Sequence, residues 1–207
     1  MNHLLSPAPI PRAFIHLRSV LADNVISSLS LPAHSWTRNF YNFALLAPFG
    51  FPTTDSTWGN GHANFKDSSA TVQDLSSYMY AWSAVNSAQD NTYGIIVGTS
   101  DAAESFDHVA LTAKIAHGTG PGQLSHRAMP APTVSWAAGS KTLSLFLSRL
   151  FDNLSGSTIT VKESGIISTC YYTAYKFLFC RDVLSPAIDV LNSGTLTVTY
   201  EAQLVYP

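Results

Sequence analysis

Apolar and polar positions alternate along the last third of the chain. Over residues 141–152, Leu143, Leu145, Leu147 and Phe151 fall on one face and Ser144, Ser148 and Asp152 on the other. Phe146 and Leu150 interrupt the polar side, which predicts that this side is partly covered too. A second run sets Ile159 and Val161 against Thr158, Thr160 and Lys162. The last run is the most regular, with Leu196, Val198, Tyr200, Ala202 and Leu204 facing inward and Thr195, Thr197, Thr199, Glu201 and Gln203 outward. A two-residue period sends successive side chains to opposite faces of a pleated strand. The β-branched and aromatic residues in these runs agree with that reading. Asp152-Asn153-Leu154-Ser155-Gly156 predicts a turn. The region reads as strand, turn, strand, hairpin, strand. Strands at this density predict a mainly β chain: an antiparallel β-sandwich, jelly-roll or immunoglobulin-like, with one short N-terminal helix and an extended N-terminal arm.

The arm is residues 1–12. Pro7, Pro9 and Pro11 alternate there, a spacing that excludes a helix interior and a central strand. The expectation is that the arm lies on a neighbouring subunit, with Pro7, Pro9 and Pro11 as contact residues. Residues 13–31 fit two patterns. Phe14, Leu17, Leu21 and Val25 make a helical stripe, whereas Ile15, Leu17 and Ser19 against His16 and Arg18 make a strand. Ala22-Asp23-Asn24 supplies a turn, so a β-hairpin is the preferred reading. Ser35 is an N-cap for a helix over residues 36–46, in which Trp36, Phe40, Phe43 and Ala47 share a face until Pro48 and Gly50 end it. That aromatic stripe reads as core packing rather than a ligand box. Residues 51–92 carry little pattern and read as a long insertion in a single domain spanning 13–207.

Further along, Tyr93-Gly94-Ile95-Ile96-Val97-Gly98 predicts a short buried strand. Residues 102–115 predict a loop whose helical turn buries Phe106, Val109, Leu111 and Ile115. The glycines and proline of His117-Gly118-Thr119-Gly120-Pro121-Gly122 predict a tight turn. Residues 124–128 and 133–136 predict strands, and Ala137-Ala138-Gly139-Ser140 turns into the alternating run at 141.

Composition narrows the function classes. Of 207 residues, 12% are charged, about half the usual share. A formal charge of −2 gives no basic footprint, so no nucleic-acid partner is expected. Ser, Thr, Asn and Gly carry the surface polarity, which suits a protein covered by neighbours. Cys170 and Cys180 flank a hairpin over 171–179; a cross-strand pair is geometrically open, and two buried thiols are the preferred reading. No run approaches the roughly 20 apolar residues of a membrane-spanning helix. The first residues lack a charged stretch followed by an apolar one. The expectation is a soluble protein made in the cytosol, with no membrane partner.

Candidate chemistry is sparse. Gly118-Thr119-Gly120-Pro121-Gly122 lacks the Gly-Lys-Ser/Thr ending of a phosphate-binding loop and precedes a strand, not a helix. Asp101, Glu104 and Asp107 form an acidic trio with the oxygen chemistry of a Ca²⁺ site but not its spacing. The histidines His3, His16, His34, His62, His108, His117 and His126 include no pair at metalloprotease spacing. Ser105, Asp107 and His108 are neighbours in sequence only, which is weak support for a triad. Arg181-Asp182, at the end of an apolar strand, reads as a structural ion pair or turn anchor; the alternative is a subunit contact. No catalytic residue, cofactor or metal is assigned.

Several segments in order resemble a group of virion structural proteins from tailed bacteriophages and prophages. They are Ser35-Trp36-Thr37-Arg38-Asn39-Phe40-Tyr41-Asn42; Tyr93-Gly94-Ile95-Ile96-Val97-Gly98-Thr99 with Ala103-Glu104-Ser105-Phe106-Asp107; and Ile115-Ala116-His117-Gly118-Thr119-Gly120-Pro121-Gly122-Gln123-Leu124-Ser125. Residues 153–161, Arg181-Asp182-Val183-Leu184 and Leu196-Thr197-Val198-Thr199-Tyr200 complete the set. Glu163-Ser164-Gly165-Ile166 departs from the group, which tends to have Glu-Val-Gly or Glu-Val-Ala before an apolar residue. Residues 1–34 and 51–92 carry little of the likeness. The resemblance implies a non-enzymatic virion component. The first reading is a capsid decoration or minor capsid protein, stabilising the particle through contacts with its own copies and with a major capsid or tail protein. The alternative is a tail, tail-tip or host-adsorption component, and a virion-associated hydrolase is the reading from another class.

Overall fold

A computed structural model of the chain describes residues 11–46, 52–53, 61–62, 64–74, 82–170 and 175–205. The chain is mainly β, with antiparallel sheets and one short helix. The larger sheet contains β1 (Pro11–Leu21) and β2 (Asn24–Pro32), which form a hairpin. Ala22 and Asp23 join them with φ of 48° and 65°. Two successive left-handed residues give the turn whose twist matches the flanking strands, so the hairpin reading of 13–31 holds and the helical stripe does not form.

The first helical turn is α1 (Arg38–Tyr41), which continues as a π-turn over Asn42–Leu46. It is capped at Thr37, not Ser35, and the Thr37 hydroxyl donates to the Leu178 carbonyl instead of to the helix. The backbone explains the late start. Trp36 makes a β-bridge with Cys180, and the Thr37 amide donates to the Phe179 carbonyl. Residues 36–37 are thus tied to a strand before the helix begins. The aromatic face still packs as expected: Trp36 and Phe40 rings are 4.3 Å apart, and Phe40 and Phe43 both meet Phe179. Ala47, Pro48 and Gly50 lie outside the described residues.

Two-stranded ribbons follow, β3 (Pro52–Thr53) with β4 (Gly61–His62) and β5 (Asn64–Lys66) with β6 (Val72–Asp74). Much of the stretch read as an insertion lies outside the described residues, but Phe65 joins Cys170, Phe177 and Phe179 in a buried cluster that Phe40 and Phe43 cover. After β7 (Trp82–Ser83) comes β8 (Gly94–Gly98), buried throughout. Residues 99–124 form loops, in which Leu111 and Ile115 are buried as expected but Phe106 is exposed, lying under the Arg38 guanidinium. The strand read at 124–128 shortens to β9 (Ser125–His126). It is followed by β10 (Thr133–Ala137), β11 (Thr142–Asp152), β12 (Ile159–Cys170), β13 (Lys176–Val190) and β14 (Thr195–Val205). β12 and β13 form the hairpin expected between the cysteines.

The larger sheet runs β10-β11-β14-β1-β2, with β9 on the far end of β11. The smaller runs β13-β12-β7, with β8 also on β12. One core draws Ile15, Leu17, Phe151, Leu196, Val198 and Tyr200 from the larger sheet and Ile95, Val97, Val161, Ile166, Leu184 and Ile188 from the smaller. Two sheets sharing a core are consistent with a β-sandwich. The smaller sheet is covered on its other face too, where Ile96, Leu111, Ile167 and Leu178 cluster. Cover on both sides explains why β8 reads as an apolar run without alternation.

Pro11 and Arg12 belong to β1, where Pro11 is in register with Leu204. The arm therefore shortens by these two residues, and Pro7 and Pro9 lie outside the described residues.

Candidate functional site

Successive residues of a strand point to opposite faces, and this separates Arg181 from Asp182. Arg181 turns outward beneath the 99–116 loop. Its Nε donates to Glu163 Oε2 at 2.6 Å, and its Nη2 donates to the Ala102 carbonyl at 3.0 Å. Glu163 accepts in turn from the amides of Thr112 and Ala113. Gly98, in register with Glu163, leaves room for this carboxylate; a Cβ there would meet the Ala113 carbonyl oxygen at 2.6 Å. Asp182 instead anchors the link after β2, accepting from the amides of His34 and Ser35 at 3.0 and 3.1 Å and from the Cys180 thiol at 3.0 Å. Both side chains are buried within the chain. Arg181 and Asp182 are thus corrected from candidate subunit contacts to internal anchors. An ion pair is present, but its acid is Glu163 rather than the sequence neighbour.

A second buried polar site was not foreseen. Arg149 lies on the apolar face of β11 and is fully buried, with Nε donating to the Arg127 carbonyl at 2.9 Å and Nη1 to the Ile95 carbonyl at 3.0 Å. Nη2 donates to the Asp90 carbonyl. Burial lowers its pKa to about 10, so it keeps its charge at neutral pH. Nearby, His126 is buried between the rings of Phe151 and His117, and neither ring nitrogen has a hydrogen-bond partner. Burial first, then the charge of Arg149, lowers the His126 pKa to about 3. The one sequence signal was a cation on an apolar face of an alternating strand.

The candidate chemistry of the loops disperses. Asp101 pairs with Lys162 and Asp107 with Arg38, while Glu104 accepts from the Val183 amide, so the acidic trio does not converge. His108 Nδ1 accepts from the Ser105 amide, not its hydroxyl. Burial and the Arg181 guanidinium hold the His108 pKa below its ordinary value. His34, Glu104 and Asp182 bring ligand atoms within 4.8 Å of one another. Each already has a hydrogen-bonding role: the amides of residues 34, 35 and 183 use the carboxylates, and Ser35 Oγ lies 3.1 Å from His34 Nδ1. The Gly118–122 turn closes on itself, with the Gly120 amide donating to Gln123 Oε1, so its donors face inward. Cys170 and Cys180 are both buried thiols.

The surface holds the most unusual feature. Leu143, Leu145, Ala202 and Leu204 share the core-facing side of the larger sheet, but among the described residues the cover does not extend over them. Leu143, Leu145 and Leu204 are 40%, 36% and 47% exposed. These positions were expected inside and are corrected: the alternation continues while the second sheet does not. Register places Trp136 beside Leu143 and Val134 beside Leu145, on the same face, and these are 57% and 65% exposed. Leu143 is in turn opposite Leu204. The result is one apolar face spanning β10, β11 and β14. β10 is also the sheet edge, pairing among the described residues with β11 alone, and it carries no charged residue. Comparisons of the chain with protein-family models, curated proteins and solved structures found no match.

Proposed function

We propose that this chain is a non-enzymatic structural subunit of a bacteriophage particle, acting through contacts with its own copies and with other virion proteins. The observation behind the reading is the uncovered apolar face of Val134, Trp136, Leu143, Leu145 and Leu204 beside an uncharged sheet edge. Contiguous apolar surface marks an interaction site, and an unprotected edge offers backbone donors and acceptors to a neighbouring chain. The segments that resemble tailed-phage virion proteins support the same reading. A capsid decoration or minor capsid role accounts for a sheet built to be covered from one side. A tail or host-adsorption role uses the same surface and differs in symmetry.

The test is to locate the chain in an electron-microscopy map of the particle. The expected result is an ordered subunit whose interfaces exceed about 1,000 Å² in total and include Trp136. A monomer without ordered contacts in the virion overturns the reading. Hydrolytic activity lost on replacing Asp107, His108, His117 or Glu163 by Ala, with assembly intact, would favour the hydrolase instead.

A further inference from the structure

The uncovered face has a specific neighbour in the sequence. Pro11 begins β1 in register with Leu204, at the rim of the exposed apolar face, and β1 runs from there into the body of the sheet. Residues 1–10, Met1-Asn2-His3-Leu4-Leu5-Ser6-Pro7-Ala8-Pro9-Ile10, therefore join the chain at that rim. They contain no Asp, Glu, Lys or Arg and include Leu4, Leu5 and Ile10. Resting on the assembly reading, we infer that residues 1–10 of a second copy lie across Val134, Trp136, Leu143, Leu145 and Leu204, and that the exchange is reciprocal.

Reach and direction both support this. Ten extended residues span about 33 Å, whereas three strands at a spacing of about 4.8 Å are crossed in about 10 Å. A chain folding back onto its own patch must reverse at the rim. The residues before Pro9 and Pro11 are biased from the helical region towards extended backbone, which favours continuation along β1 over a helical reversal there. Reciprocal exchange closes the assembly as a two-fold dimer, in which each copy gives one arm and receives one. The arm's lack of charge matches a face whose five named residues are all apolar.

The experiment is a complementation between two full-length variants. One carries Leu4→Ser, Leu5→Ser and Ile10→Ser, with an intact face; the other carries Val134→Ser and Trp136→Ser, with an intact arm. The mass in solution is read by light scattering for the unaltered chain, each variant, and their equimolar mixture. The expected result is a dimer for the unaltered chain, a dissociation constant raised at least about tenfold for each variant, and partial recovery of dimer in the mixture. Each mixed pair retains one complete arm-to-face contact. Circular dichroism of each variant confirms that it is folded; should the face variant unfold, Leu204→Ser replaces it. An arm variant that dimerises as well as the unaltered chain overturns the arm exchange and leaves the assembly reading standing. A mixture that recovers no dimer also overturns it. An unaltered chain that is monomeric at every concentration and absent from particles removes both.

Discussion

Arg181 Nε donates to Glu163 Oε2 across 2.6 Å, and neither side chain reaches solvent. Removing one member of such a pair strands the other charge in the interior, which costs about 3–5 kcal/mol. Arg181→Met should lower unfolding stability in urea by that amount. Adding Glu163→Met should cost less than the sum of the two single changes, because the stranded charge is then gone. A loss below about 1 kcal/mol in Arg181→Met would show that the pair does not hold the 99–116 loop to the sheet.

His126 gives a pH dependence with a defined sign. Its folded-state pKa is lowered to about 3, from 6.5 in the unfolded chain, so the unfolded chain binds the proton more readily. Its contribution to stability is complete above pH 6.5 and falls as the pH drops towards 3, by about 1.4 kcal/mol per unit. Between pH 6.5 and 4.5 the loss should be about 2 kcal/mol. His126→Phe, which keeps a ring against Phe151, should remove this part of the slope. Parallel pH profiles for the two chains would sink the assignment.

The Arg149 guanidinium spans carbonyls contributed by residues 90, 95 and 127. One ammonium cannot reach that set, and buried acceptors left unmatched cost about 1–3 kcal/mol each. Arg149→Lys should destabilise the chain by about 2–4 kcal/mol despite keeping the charge. Chemical denaturation measures this, and a change under about 0.5 kcal/mol would contradict the fork geometry.

Burial, and then the charge of Asp182, raises the Cys180 thiol pKa well above its ordinary value. A protonated, inaccessible thiol does not react. The native chain should take up no iodoacetamide at Cys170 or Cys180 at pH 8, and both should be alkylated in denaturant. Mass spectrometry of the two samples settles the point, and rapid native labelling would contradict the burial.

The strands were legible because alternation reports which face a residue shares. It does not report where the opposite layer stops, so Leu196 to Tyr200 were placed correctly while Ala202 and Leu204 were not. The helix start was misjudged for a related reason: Ser35 has cap chemistry, but the tie of residues 36–37 to β13 is set by tertiary pairing. Arg149 was passed over because its acceptors lie up to 59 positions away. Arg181 and Asp182 looked like partners because they are adjacent, whereas in a strand adjacency means opposite faces. Nothing local to Glu163 identifies Arg181 as its match.

Because β1 is held between β2 and β14, the earliest strand waits for the latest. The β1–β2 hairpin is local in sequence, yet the other edge of β1 has no partner until residues 195–205 have been synthesised. Long-range closure of this kind slows folding and prolongs the life of sticky intermediates. A chain that stalled before β14 would leave the β14-side edge of β1 unpaired.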